Sequence, residues 1–395
     1  MTLLTDRPLR ILMVCHMPWN PNAGGSRVQI EIAEEWRKLG HQVEKFSQED
    51  AYPQGISRLS WLVDDFPQRA RTFVQRHGHS FDIIDAHQGN LPFSKRDLAI
   101  QGLLVARTVG LYVFVDEFLR LERQWRGRKF SPKGMMVEWM QQRNARNYPR
   151  SLQHCDLINV PNHDELVYLR DRMGLGQKTV VFPFGLSDQR LAEISRASQP
   201  AIERHAHQTV VFIGGWQPRK GSRDWGDIIR YVRDRCPQSQ FLFLGTGIGA
   251  ERLLSDCGLP PCDWITVVPS YDSSELPQLL SCATVGAFPS YMEGFGFSVL
   301  EKLAAGIPVI AYDVPGPREM LHHLPGDNWL TPVGDRTAFC KQLVNVLTMH
   351  PSAYAELAHQ SMEVASKFRW REIAANTLTT YMTHRYATNE RRSIN

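Results

Sequence analysis

Residues 10–40 read RILMVCHMPWNPNAGGSRVQIEIAEEWRKLG, and the order of residue types in this stretch points to the fold class. Arg10 to Cys15 is an apolar run without alternation, the mark of a parallel strand buried on both faces. His16 to Gly25 is a loop with two prolines and two adjacent glycines. From Ser26 to Leu39 the residues Val28, Ile32, Trp36 and Leu39 share one helical face, and Gly40 provides the stop. The strand, loop, helix pattern then repeats. Short buried strands are expected at 81–85, 103–106, 157–160 and 180–182, and a second cycle at 209–213, 241–244, 265–268, 285–288 and 308–311. Such alternation predicts an α/β protein with doubly wound parallel sheets. At 395 residues the chain exceeds the roughly 250–300 at which single cores stop growing. Two Rossmann-like domains are therefore expected, at 1–190 and 205–369. The polar stretch 187–207 reads as a linker, and an amphipathic helix at 370–388 packs back on the first domain.

The bulk chemistry excludes several classes. A net charge of +4 is too small for a nucleic-acid-binding surface. Seven cysteines, an odd number without a C-x-x-C pair, form no zinc framework and read as reduced thiols. The N-terminal apolar run is too short for a secretory leader. No stretch approaches the roughly 20 apolar residues of a membrane span, so a cytoplasmic protein is expected. No Asp-x-Asp pair offers ligands for a metal-bridged diphosphate, so no metal or other cofactor is expected.

Ligands of open parallel sheets bind beyond the carboxyl ends of the strands, and three candidate elements fall there. Gly24 and Gly25 let backbone approach an anion at a helix start. Arg219 and Lys220, between Gly214-Gly215 and Gly221, could neutralise a diphosphate and stabilise the charge that grows on it as it departs. The loop PSYMEGFGF (289–297) carries Glu293 before Gly294, Phe295 and Gly296, and Glu301 follows eight residues after Glu293. Carboxylates so placed can accept hydrogen bonds from sugar and ribose hydroxyls. Taken singly, the same residues also read as a tight turn, surface charges and a cap.

Glu293 and Glu301 form an E-x7-E pattern, and EKLAAGIPV (301–309) resembles the E-A-x-A-x-G-x-P-V run of retaining glycosyltransferases of family 4, which have the GT-B fold. Pro21 to Gly25, Phe182 to Gly185, Lys220-Gly221 and Trp370 to Ile373 are similar to further elements of that family in the same order. The resemblance implies two Rossmann-like domains facing across a cleft, with the diphosphate of a nucleotide sugar between them. It places Gly24 and Gly25 at the phosphates, with Lys220 opposite them. It gives Glu293 the donor sugar, the backbone of Gly294, Phe295 and Gly296 further donor contacts, and Glu301 the ribose. Glu293, Lys220 and Arg219 are the catalytic candidates. Two departures stand out. Gly215 replaces a common phosphate-binding arginine, whose charge Arg219 can supply. Val109 stands where relatives carry an acceptor-side histidine, which leaves His87 and Arg107 as the acceptor-side candidates.

The implied activity is transfer of a sugar from a nucleotide diphosphate sugar, with retention, to a glycan, lipid-linked or small-molecule acceptor in polysaccharide or lipid-linked glycan synthesis. A nucleotide-sugar epimerase, a phosphorylase and a catalytically silent binding homologue remain open on the same frame. Residues 120–150 interleave arginines and lysines with Trp125, Phe130, Trp139 and methionines. That mixture suits peripheral contact with an anionic membrane and equally suits a solvated helical hairpin.

Overall fold

The computed structural model describes residues 7–21, 24–57, 65–126, 145–326 and 328–393. The chain divides into two units, Met1–Phe184 with Trp370–Asn395, and Gly185–Arg369. Much of the basic segment 120–150, namely 127–144, lies outside the described residues, as does part of the loop before Gly24.

The first unit is built on six parallel strands: β1 (Arg10–Val14), β2 (Gln42–Phe46), β3 (Ile83–His87), β4 (Leu103–Arg107), β5 (Leu157–Val160) and β6 (Thr179–Val181). They lie in the order β2-β1-β3-β4-β5-β6. The continuous apolar runs are the central strands; β3 and β4 are buried at every position. At the edge, β2 exposes Gln42 and Glu44 and buries Val43, so one face meets water. The sheet order reverses at β1, which pairs with β2 on one side and β3 on the other.

The last helix, Trp370–Ser393, belongs to this unit. Trp36 donates its indole N–H to the Ala374 carbonyl at 3.1 Å, and the Trp370 indole donates to Glu31. Tyr381 enters a buried polar cluster: its hydroxyl donates to Asp85 at 2.9 Å and accepts from Arg107 at 3.0 Å and Asn159 at 2.8 Å.

The second unit holds β7 (Thr209–Ile213), β8 (Gln240–Leu244), β9 (Ile265–Val268), β10 (Val285–Phe288), β11 (Val309–Tyr312) and β12 (Leu330–Thr331), all parallel, in the order β12-β11-β10-β7-β8-β9. Read from β9, this is the dinucleotide-fold order, with its reversal between β7 and β10. Connections leave these two neighbours in opposite directions, so a crevice opens at their carboxyl ends.

The stretch 187–207 is not a linker. It forms the helices Asp188–Ala197 and Ala201–His207 of the second unit. Ser187 caps the first through the Arg190 amide, and Ile194 is fully buried. Arg204 in the second donates to the Ala305 and Gly306 carbonyls. Its polar composition disguises buried arginines whose partners are distant in sequence. No described helix is long and apolar enough to cross a membrane.

Candidate functional site

The reversal point of the second sheet brings together the loops after β7 and β10. Gly221, with φ +79°, ends the first loop, and a Cβ there would lie 2.1 Å from the Pro289 carbonyl oxygen. Only glycine lets the two loops approach so closely. Their backbones are stitched by the Tyr291 amide on the Arg219 carbonyl (2.9 Å) and by the Arg219 guanidinium on the Met292 carbonyl (3.3 Å).

This stitching carries the charged groups into contact. Lys220 pairs with the Glu293 carboxylate, and the Arg219 guanidinium stands 3.8 Å from the same oxygen. The side chains of Lys220 and Glu293 keep only 16% and 15% of their surface, so little water screens the pair. Burial pushes the Glu293 pKa up, but the charges of Lys220 and Arg219 outweigh it and hold the carboxyl below its ordinary value. Burial lowers the Lys220 pKa, with Glu293 opposing. The result is a compact cluster with two cations and one carboxylate, net positive before any ligand arrives. It suits an anion.

Beyond Glu293 the chain turns through Gly294, Phe295 and Gly296. Gly296 has φ +90° and is the N-cap of helix Phe297–Ala304, where it has no side chain to satisfy the first amides. A helix start opened in this way faces anions and hydroxyl oxygens well. The Phe295 ring is core, edge-on to Phe297 and Phe368, so only its backbone can serve a ligand. Glu301 is not a surface charge: it is 4% exposed and pairs with Arg190 at 3.4 Å.

In the first unit, Gly24 and Gly25 open the helix Gly24–Lys38. A Cβ on Gly25 would meet the Met17 sulfur at 2.6 Å. Just inside that helix the hydroxyl of Ser26 and both amide atoms of Gln29 are buried without a hydrogen-bond partner. His87 closes β3, 2% exposed, with Nδ1 donating to the Gln88 carbonyl at 3.1 Å and Nε2 without a partner. Burial, then the neighbouring His16 ring at 5.1 Å, push its pKa down to about 3, so it is a neutral base. Arg107 is a correction. It is 1% exposed, with Nε and Nη2 of its guanidinium committed to Asp85 (2.6 Å) and Tyr381, so it is held in the core of the unit and not presented to an acceptor. It fastens the last helix instead.

Several residues of the site carry no sequence signal. Asp224 accepts from both Tyr291 (2.9 Å) and Tyr312 (2.7 Å), and so anchors the loop that presents Glu293. Arg190 reaches Glu301 from 111 residues away. Ser290, wholly buried in the Glu293 loop, has a hydroxyl without a partner. Proximity in space alone reveals these three.

Residues 207–349 match the family described as Glycosyl transferases group 1, which covers most of the second unit and both loops of the charged cluster. Among curated relatives, the D-inositol 3-phosphate glycosyltransferase of Rhodococcus erythropolis is 29% identical over 180 residues, 44% of this chain and 40% of that one. The phosphatidyl-myo-inositol mannosyltransferase of Mycobacterium leprae is 28% identical over 212 residues, 53% of this chain and 54% of that one. The matched stretches thus span about half the length of these relatives or less. Among solved structures, the sucrose-phosphate synthase of Thermosynechococcus elongatus superposes with a TM-score of 0.72 at 20% identity, covering 96% of this chain and all of that one. HepE of Anabaena, in complex with UDP and glucose, gives 0.66 at 18% identity over 95% of this chain and all of that one. At these identities the likeness establishes the fold, which is GT-B with two Rossmann-like domains.

Proposed function

We propose that this chain, whose second unit carries a glycosyl transferases group 1 domain, moves a sugar from a nucleotide diphosphate sugar to an acceptor hydroxyl with retention of anomeric configuration. One observation carries the reading: two cations from the end of β7 meet a carboxylate from the end of β10 at the sheet's reversal point. HepE is bound to UDP and glucose in its solved complex, in keeping with a nucleotide-sugar donor.

In this reading the donor's diphosphate displaces the Glu293 carboxylate from Lys220. The two cations then face phosphate oxygens, and Glu293 is released to accept hydrogen bonds from sugar hydroxyls. The bond between anomeric carbon and phosphate oxygen breaks as the acceptor oxygen bonds to that carbon on the same face. The acceptor's proton passes to the departing phosphate. Negative charge on that phosphate peaks in the transition state, so Lys220 and Arg219 lower the barrier more than they tighten donor binding. Glu301, held by Arg190, lies one helical stretch further along and takes the ribose hydroxyls. Within the first unit, Gly24 and Gly25 are assigned an anion contact through the start of their helix, and His87 an acceptor contact. A hydroxyl-rich acceptor is proposed because two relatives are named for inositol compounds.

The test is nucleotide release from UDP-, GDP- and ADP-sugars with polyol and glycan acceptors, after a thermal-shift screen of the donors. Lys220→Met and Glu293→Gln should each lose about 10²–10³ in turnover, the scale of losing one preorganised charge at a reacting group. Wild-type turnover in either variant would remove the assignment.

A further inference from the structure

Lys302 takes the place of the first alanine in the E-A-x-A run, and it directly follows Glu301, the partner of Arg190, in the helix Phe297–Ala304. It is 0% exposed. Its ammonium makes one long hydrogen bond, 3.5 Å to the Ala287 carbonyl. Room for the side chain comes from Gly286 on β10, where a Cβ would fall 2.5 Å from Lys302 Cδ. The ammonium of Lys302 lies 5.5 Å from the centre of the Phe288 ring, and that of Lys220 lies 5.3 Å from the same centre. One aromatic ring thus has a ligand-facing lysine and a wholly buried lysine beside it.

We infer that Lys302 is a buried cation of the donor site whose proton is taken up when a nucleotide diphosphate binds at Lys220. This rests on the donor reading above. A buried ammonium with a single long hydrogen bond is poorly compensated, and an approaching anion stabilises its charged form. Burial, and then repulsion from Lys220, push its pKa down to about 7, with Glu301 opposing. The charges around it are few. Across the ring, Lys220 is paired with Glu293, and Arg219 stands by the same oxygen. On its own helix, Glu301 is held by Arg190 of Asp188–Ala197. From Pro351–Ser366, packed alongside, Tyr354 spends its hydroxyl on the Thr284 carbonyl, and Arg204 of Ala201–His207 spends its guanidinium on carbonyls. A diphosphate beside Lys220 cancels the repulsion and favours the protonated form. Binding then consumes a proton above neutral pH and weakens as pH rises.

Calorimetric titration of the full chain with UDP, GDP and ADP, in buffers of different ionisation enthalpy, reads that proton directly. Between pH 7.5 and 9 phosphate groups with a second pKa of about 6 no longer titrate. In that window the wild type should take up close to one proton, and Kd should rise by up to about tenfold per pH unit. Lys302→Met, which keeps the volume without the charge, should abolish the uptake and flatten the profile. Binding without proton uptake in the wild type, or with equal uptake in the variant, overturns the role of Lys302 and leaves the donor reading standing. Failure of all three nucleotides to bind overturns both.

Discussion

Replacing Arg107 by Met separates a structural arginine from an acceptor-binding one. Arg107 and Asp85 are 1% and 0% exposed and meet at 2.6 Å, which puts them among fully buried pairs. Exposed pairs contribute about 0–1 kcal/mol, whereas stripping one partner from a buried pair costs about 3–5 kcal/mol by leaving a bare charge. Methionine preserves most of the aliphatic packing, so the loss is chiefly electrostatic. Asp85 would keep only the Tyr381 hydroxyl as a charge-balancing donor, and Tyr381 would lose the Arg107 donor on its own oxygen. Its link to the last helix would weaken with it. For a unit of about 200 residues, 1 kcal/mol moves Tm by roughly 2–4 °C, so Arg107→Met should lower the melting of the first unit by roughly 6–20 °C. Combining it with Asp85→Asn removes the bare charge and should recover most of that loss. Calorimetry of the two single variants and the double variant measures the coupling. If Arg107→Met left Tm within roughly 2–4 °C of wild type and instead raised KM for the acceptor, the structural assignment would be refuted.

Two further predictions concern the units separately. Glu165 is buried, and burial pushes its pKa from 4.5 up to about 7 against hydrogen bonds from Thr108 (2.6 Å) and Asn162 (3.1 Å). The folded state therefore keeps this proton where the unfolded chain has lost it, so stability falls as pH rises from 4.5 to 7, by about 3 kcal/mol in total. Urea unfolding at pH 5 and pH 8 should show Glu165→Gln lacking that fall relative to wild type. In the second unit, Gly221→Ala forces a side chain into φ +79° and onto the Pro289 carbonyl at 2.1 Å. About 2–5 kcal/mol of destabilisation should follow, together with loss of nucleotide binding as the two loops separate; unchanged melting would mean that the loops are not in contact.

What the sequence determined by itself was whatever depends on neighbours along the chain. Continuous apolar runs such as Ile11–Val14 can only be strands covered on both faces, and glycines such as Gly296 announce turns that other residues resist. The E-x7-E spacing, read with the family resemblance around it, likewise singled out Glu293 and Glu301 as candidates. Tertiary structure decided what depends on partners far apart in sequence. The strand order puts β7 against β10, and so Lys220 against Glu293, 73 residues on. Arg107 is absorbed by Asp85 and by Tyr381, 274 residues away, and the polar stretch 187–207 folds because Arg190 and Arg204 find buried acceptors more than 100 residues ahead. The two-residue strand β12 is too short to show any period. A buried polar residue looks like an exposed one in sequence, because the group that satisfies it is found only when the chain folds.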